Sequence, residues 1–158
     1  MNNFIVSTRN LVLLAVVSLL LLPVQTYSMK TATGMSAQDD EEIRETAQLY
    51  VDGVKYADKS KIDEAFHQDW NMTGFYAEGD YETFDRNEFI QLIERNRENA
   101  DSFPRYEGGI VDVQHHGKVA VVKIHLENNR VIFTDYLSLL EIDGEWKIIH
   151  KIWDTESK

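Results

Sequence analysis

Titratable and aromatic side chains alternate along the C-terminal part of the chain, where the pattern has a period of two residues. Two turn signals, Asn128-Asn129 and Asp143-Gly144, divide this part into strands that pair as successive hairpins. If each turn has two residues, Tyr136 pairs with Lys151 on the next strand. This register predicts one sheet face that combines basic, aromatic and hydroxyl groups: Lys123, His125, Thr134, Tyr136, Lys151 and Trp153.

Such a face could bind a small organic anion or an enol. An amine neutralises negative charge, phenols donate hydrogen bonds to a carbonyl or oxyanion, and an indole stacks on a ring. The opposite face is nearly all apolar, so the hydrophobic pattern alone assigns it to the core and leaves the mixed face in solvent. Because neither face is cleanly polar, the pattern leaves open that helices cover one face and a second subunit covers the other.

Two other pairs of residues are weaker candidates for a functional site. Asp135 and His150 fall diagonally to each other on one face of adjacent strands. They could form an acid–base dyad or a buried pair that only stabilises the structure, and we favour the buried pair. His115 and His116 are adjacent on a strand and point to opposite faces, so a shared metal is not expected. No metal-binding, nucleophile or phosphate-loop motif is present, and we predict neither a metal nor a cofactor.

Composition limits the partners. The chain has 158 residues with 16 Lys+Arg against 27 Asp+Glu, a formal net charge of -11 that does not favour nucleic acid or anionic membrane surfaces. The absence of cysteine excludes disulfides, thiolate nucleophiles and Cys-ligated metals.

The first 28 residues resemble a secretory signal peptide, since the uncharged apolar run from Leu11 to Leu22 is too short for a permanent membrane anchor. We therefore expect export to the periplasm or outside the cell. Residues 29–38 are predicted to be a flexible lead, residues 39–154 one domain, and residues 155–158 a tail.

The domain is predicted to be α+β. Helices are expected after the cap signals at Asp39, Ser60 and Asp85, and a small hairpin lies between the second and third helices. The remaining chain reads as an antiparallel meander with strands at 110–116, 118–126, 131–142 and 145–153. Helices in one half and strands in the other argue against a wound parallel sheet.

Several segments resemble one known superfamily in combination and order. They are Tyr50-Val51-Asp52-Gly53, Ala65-Phe66-His67, Phe133-Thr134-Asp135-Tyr136-Leu137, and Asp143-Gly144-Glu145-Trp146-Lys147-Ile148 with Lys151. Through these segments, residues 43–153 resemble the nuclear transport factor 2-like (cystatin-like) superfamily, and within it the "putative lumazine-binding" proteins. The resemblance implies three helices on a strongly bent, mostly antiparallel sheet, a cone with a pocket on the concave side and often a homodimer through the convex side.

Function does not follow from this fold, which hosts both enzymes and binding domains. Matched without gaps to the ketosteroid isomerases, Tyr50 falls on the oxyanion-hole tyrosine and Trp153 on a pocket tryptophan. Gly74 takes the place of the general-base aspartate, and Tyr136 replaces a protonated aspartic acid. A glycine cannot abstract a proton, so that isomerisation is not expected, and whether the chain is an enzyme stays open.

The resulting hypothesis is an exported, homodimeric domain that binds a small aromatic or anionic molecule. The proposed ligand-binding residues are Tyr50, His125, Thr134, Tyr136, Lys151 and Trp153. The alternative is an isomerase, dehydratase or cyclase with His125 as the base and Tyr50 and Tyr136 as oxyanion donors. An interaction module with an empty pocket is a third possibility.

Overall fold

The computed structural model describes residues 37–76, 79, 81–99 and 105–158. The predicted signal peptide and most of the predicted lead lie outside these residues. Among the described residues, no helix is long and apolar enough to cross a membrane. The elements are α1 (Ala37–Lys55), α2 (Lys59–Ala65), β1 (Phe66–Phe75), β2 (Tyr81–Asp85), α3 (Arg86–Glu98), β3 (Glu107–His116), β4 (Val119–Glu127), β5 (Val131–Ile142) and β6 (Glu145–Ser157).

Local signals place the helices close to their predicted positions. α3 begins with a capping box in which the Asp85 side chain accepts from Glu88 N–H and the Glu88 side chain accepts from Asp85 N–H. α2 is capped by Asp58 rather than by the predicted Ser60, because the Asp58 side chain accepts from Ser60 N–H. α1 begins at Ala37, inside the segment assigned to the lead.

The six strands form one sheet in the order β2-β1-β6-β5-β4-β3. All neighbours are antiparallel except β1 and β6, which run parallel. The predicted α+β architecture with a mostly antiparallel sheet is therefore confirmed. β6 continues to Ser157, into the residues assigned to the tail.

The helices cover one face of the sheet, which we call the inner face. The buried stripe of α1, with Ile43, Ala47 and Tyr50, packs there in one core with inward side chains from β4, β5 and β6. These strand residues are fully or almost fully buried: Val122, Ile124, Leu126, Leu137, Leu139 and Ile148. The hydrophobic pattern had assigned this face to the core correctly.

The outer face is partly solvated and carries the alternate residues of the same strands. Val119, Val121, Tyr136 and Ile152 are among its exposed large side chains. Several exposed apolar side chains on one sheet face, interleaved here with Lys123 and Ser138, are a feature of interaction surfaces.

The pairing of β5 with β6 corrects the predicted register. The turn at Asp143-Gly144 is as predicted, with both residues at positive φ and Ile142 opposite Glu145. A register shift between Ser138 and Leu139 then adds one residue to β6, so Lys151 lies opposite Leu137 rather than Tyr136. Because side chains alternate, this single extra residue moves Lys151 and Trp153 from the predicted mixed face to the inner face.

The turn between β4 and β5 is also longer than predicted. Asn128 Oδ1 accepts from the N–H groups of Arg130 (2.8 Å) and Val131 (3.0 Å), and Glu127 lies opposite Ile132. The pairing of β4 with β5 is shifted by two residues from the pairing that a two-residue turn would give. Because side chains alternate, a shift of two residues leaves the predicted faces of β4 and β5 unchanged. His125 lies opposite Thr134, on the outer face.

Candidate functional site

Three polar side chains meet on the inner face, each from a different element. Tyr50 of α1 donates its hydroxyl to Asp135 Oδ2 of β5 at 2.5 Å. Lys151 Nζ of β6 donates to Tyr50 Oη at 3.1 Å and lies 3.5 Å from Asp135 Oδ1. The amine, phenol and carboxylate therefore form one closed cluster, which we call the Tyr–Asp–Lys cluster.

The cluster is buried, with exposed fractions of 1% for Tyr50, 2% for Asp135 and 5% for Lys151. Burial lowers the pKa of the Lys151 ammonium below its usual value, and the Asp135 carboxylate acts against this shift. Burial, and after it the charge of Asp135, raises the pKa of the Tyr50 phenol well above its usual value. Tyr50 is therefore a stable hydrogen-bond donor at neutral pH, while the charge of Lys151 is opposed by its surroundings.

Aromatic rings surround the amine. Lys151 Nζ lies 4.8 Å from the ring centroid of Trp153, 5.4 Å from that of Tyr50 and 5.9 Å from that of Phe89. Ring faces attract a cation, but they supply no hydrogen-bond acceptors equivalent to water. Lys151 thus has donor capacity beyond its contacts with Tyr50 and Asp135.

The cluster borders a cavity of about 80 Å³ between the inner face, α1 and α3. This volume holds several water molecules or a small ligand group. Two polar atoms of its lining side chains, Asp135 Oδ1 and Trp153 Nε1, are buried without a hydrogen-bond partner among the described residues. The other lining side chains are mostly apolar or aromatic: Val54, Met72, Tyr76, Phe89, Leu92, Ile93, Asn96, Tyr106, Leu126 and Phe133.

A wider cleft of about 770 Å³ adjoins the cavity. Tyr76, Tyr106 and Phe133 line both spaces, and their rings stack edge to face around Phe133. These three rings form the boundary between cavity and cleft.

The cleft carries charged side chains of both signs. Arg105, Arg130 and Lys158 line it with Glu107 and Glu127. Lys158 Nζ pairs with Glu127 at 2.9 Å, whereas neither arginine forms an ion pair with any residue that the structure describes. With respect to the described residues, two guanidinium groups at the cleft are without a carboxylate partner and are of the type that binds anions.

Half of the sequence-predicted site residues meet at the cavity. Tyr50, Lys151 and Trp153 line it together. His125, Thr134 and Tyr136 lie on the outer face, so the predicted convergence of these three with Tyr50 and Lys151 was wrong. Whether any of the six contacts a ligand stays a prediction.

The outer-face residues have other surroundings. His125 Nε2 lies 3.8 Å from Glu127, and its side chain is 40% exposed. Thr134 and Tyr136 line a shallow groove on the outer face with Ile152. His125 cannot reach the cavity through the sheet and cannot serve there as the general base that the enzymatic alternative assigned to it.

Asp135 is the residue of the Tyr–Asp–Lys cluster that sequence reasoning paired with a different partner. It was considered as a partner of His150, but His150 Nδ1 instead lies within hydrogen-bond distance of Asn71, 3.1 Å from its carbonyl oxygen and 2.5 Å from its side-chain oxygen. The signal was present, because Asp135 is in phase with the apolar residues Phe133 and Leu137 of the inner face. An acidic residue within such an apolar row predicts a buried partner.

Gly74 occupies a position where no side chain fits. A Cβ atom there would lie 2.2 Å from the carbonyl oxygen of Trp153 and 2.4 Å from its ring atom Cδ2. β1 thus approaches β6 closely at Trp153. Among the described residues, no group of three His, Asp or Glu side chains is arranged to hold a metal ion.

Solved structures of the same architecture define the class of the fold. A nuclear transport factor 2-like protein of unknown function from Shewanella baltica OS155 matches with a TM-score of 0.66 and 21% identity, covering 78% of this chain and 98% of its own. A second, from Silicibacter pomeroyi DSS-3, matches with a TM-score of 0.65 and 21% identity over 77% of this chain and all of its own. A cystatin-like domain from Nostoc punctiforme PCC 73102 matches with a TM-score of 0.60 and 15% identity, covering 75% and 78% of the two chains. The domain therefore has the nuclear transport factor 2-like fold.

The family follows from the sequence itself. The model of the "Putative lumazine-binding" family matches residues 38–154, and the chain belongs to this family. The aldolase FrzH of a Cladobotryum species is 24% identical over 110 residues, which are 68% of this chain and 84% of that protein. The family and the fold together suggest a small-molecule-binding domain.

Proposed function

We propose that this domain binds a small organic molecule whose polar head group enters the cavity beside the Tyr–Asp–Lys cluster. The observation that carries the proposal is a buried phenol, carboxylate and amine that border a cavity rather than fill it. Burying such groups is unfavourable unless they are fully paired. A ligand that completes their hydrogen bonds would repay this cost.

The spare polar atoms indicate the chemistry of the head group. Lys151 Nζ and Trp153 Nε1 are donors with unused capacity, and they favour an acceptor such as a carbonyl or enolate oxygen. The surrounding rings favour an apolar or aromatic neighbour of that oxygen. Because the cavity is small, the remainder of the ligand would extend past Tyr76, Tyr106 and Phe133 into the cleft, where Arg105 and Arg130 suit an anionic group.

Thermal unfolding with a panel of probes tests this proposal. Phenylpyruvate carries a ring, a ketone and a carboxylate, and lumazine is the compound in the family description. A bound ligand at about 100 times its Kd adds about 2.7 kcal/mol to the free energy of unfolding. The stabilisation should shrink in Lys151→Met and Tyr50→Phe, and should persist in Lys123→Met, a lysine of the outer face.

The absence of stabilisation by every probe would argue against the proposal. Equal stabilisation of the wild type and of Lys151→Met would place the ligand elsewhere.

Catalysis at the same cavity is the second candidate function. The similarity to a protein named aldolase, together with an amine beside a carboxylate, supports chemistry at a carbonyl group. Turnover of a carbonyl substrate should then collapse in Lys151→Met and Asp135→Asn but survive in His125→Ala. If His125→Ala loses activity and Lys151→Met keeps it, the result would instead support His125 as the general base.

Two further features belong to the proposal. We expect residues 1–28 to direct export, which cell fractionation and N-terminal sequencing of the mature protein would test. We also expect a homodimer through the outer face, because Val119, Val121, Tyr136 and Ile152 expose apolar surface there.

A further inference from the structure

We propose that Lys151 is a nucleophilic amine that forms an imine with the carbonyl group of a molecule in the cavity, an inference that rests on the proposed binding function. The candidate substrates are aldehydes and ketones small enough to place their carbonyl carbon beside Nζ.

The position of Lys151 carries this inference. Its Nζ lies at the wall of a cavity, beside a carboxylate at 3.5 Å and a phenol at 3.1 Å, and 4.8 Å from the ring centroid of Trp153. Other lysines of the domain are arranged differently. Lys118 is 72% exposed and faces Glu141 at 3.4 Å, and Lys147 pairs with Glu145 at 2.9 Å.

A lysine nucleophile must be neutral, and two features favour the neutral amine. Burial removes the ammonium from water and lowers its pKa. The 3.5 Å contact with Asp135 is longer than a charge-assisted hydrogen bond of about 2.8 Å, so the carboxylate opposes the effect of burial without forming a short bond to the ammonium. Asp135 can accept the proton, because its Oδ1 has no hydrogen-bond partner among the described residues.

The proton and bond changes balance without any co-reactant. The Lys151 ammonium first passes a proton to Asp135. The amine then forms a C–N bond to the carbonyl carbon while the carbonyl π electrons move to oxygen, and that oxygen and the nitrogen exchange protons through Asp135. Protonated Asp135 then donates its proton to the carbinolamine hydroxyl, and the C–O bond breaks as the nitrogen lone pair forms C=N. One water leaves with two of the three ammonium hydrogens, and the remaining N–H iminium pairs with the Asp135 carboxylate. Tyr50 bonds to both Asp135 and Lys151 and acts as a positioning residue.

Reductive trapping on the full chain tests the proposal. The protein is treated with the small aldehyde propanal and sodium cyanoborohydride, which reduces an imine to a stable propylated amine, and each lysine is followed by peptide mapping. A lowered pKa raises the fraction of a lysine that is neutral near neutral pH. Because burial lowers the pKa of Lys151, we expect Lys151 to be propylated faster than exposed lysines such as Lys118.

Variants separate nucleophilic reactivity from a structural role. Asp135→Asn retains the amine but removes the group that relays its proton to the carbonyl oxygen. Removing the carboxylate also lowers the pKa of Lys151, but we expect the loss of proton transfer to dominate, so trapping at Lys151 should slow while trapping at Lys118 stays unchanged. Lys151→Met should remove the fast site alone. Since peptide mapping of the wild type already identifies the site, the test does not depend on a variant that folds.

Trapping at Lys151 no faster than at Lys118 would overturn the proposal. The reversible stabilisation by phenylpyruvate is measured without reductant, so it judges the binding function independently. Stabilisation without fast trapping would leave a binding site with a structural lysine, whereas fast trapping without stabilisation would leave a reactive lysine in a cavity that does not retain phenylpyruvate.

Discussion

A buried lysine in a small domain has a high energetic cost, and the neighbours of Lys151 offset only part of it. Replacing a buried ion pair by apolar residues of similar volume is often neutral or stabilising. Stability alone therefore does not explain a lysine and an aspartate beside an aromatic cavity, which agrees with the proposed binding function.

Removal of one partner should be more harmful than removal of both. Lys151→Met leaves the Asp135 carboxylate buried without its cation, and we expect the free energy of unfolding to fall by about 3–5 kcal/mol. Adding Asp135→Asn should recover much of this loss, because a neutral amide replaces the unpaired charge. Urea denaturation of the two single variants and the double variant measures the coupling. Strictly additive losses would mean that the two side chains do not stabilise each other.

Tyr76 provides a pH-dependent prediction at the boundary between cavity and cleft. Burial raises the pKa of its phenol to about 12 from an ordinary value of 10.0. Between these pH values the unfolded chain has lost the proton and the folded chain retains it, so stability should fall as the pH rises from 10 to about 12. Below the lower value, Tyr76 contributes no pH dependence.

Tyr76→Phe isolates this effect from the other buried tyrosines. Urea denaturation across the alkaline range should show a shallower loss of stability in Tyr76→Phe than in the wild type. Parallel curves for the two proteins would mean that Tyr76 is not protected from ionisation by the fold.

At the scale of the elements, the extra residue in β6 determines which side chains form the site. Ile148 and Ile149 are consecutive apolar residues of β6, and the register shift occurs at this point. Strict alternation carried past Ile149 assigns Lys151 and Trp153 to the wrong face. The site therefore depends on a local irregularity that a period-two pattern cannot represent.

The close approach of β1 to β6 gives a test at this scale. Gly74→Ala would place a methyl group against Trp153, which lines the cavity, and we expect a loss of about 1–3 kcal/mol in the free energy of unfolding. Gly109→Ala is the matched control, because a Cβ at Gly109 meets no atom within 4 Å. The control should stay within about 0.5 kcal/mol of the wild type.

Displacement of Trp153 should also weaken ligand binding in Gly74→Ala. If Gly74→Ala is as stable as Gly109→Ala and binds the probes as well as the wild type does, the packing described for β1 and β6 would be contradicted.

Sequence reasoning succeeded where one local rule determined the structure. The capping box at Asp85, the hairpin turn at Asp143-Gly144 and the fold class all follow from short-range signals. The site depends on the pairing of distant elements, since Tyr50 and Asp135 are 85 residues apart. Their contact is fixed by how α1 crosses the sheet, which no local pattern encodes.

For the whole molecule, the feature that needs an explanation is the outer face, which exposes apolar side chains in a chain of net charge -11. We expect a homodimer at micromolar protein by light scattering, and Val121→Glu on the outer face should give a monomer. Tyr56→Glu is the control, because Tyr56 is also an exposed large side chain but lies after α1. A monomeric wild type would remove the dimer from the proposal.

We propose that the cavity beside Lys151 is the ligand site, and native mass spectrometry of protein purified from its own host can show whether a ligand is bound there. The wild type, Lys151→Met and Lys123→Met are compared under conditions that retain a bound molecule. The proposed function predicts one reproducible adduct on the wild type and on Lys123→Met, and its loss from Lys151→Met. The same adduct on all three proteins in equal amount would contradict the claim, because the ligand would then bind away from the Tyr–Asp–Lys cluster.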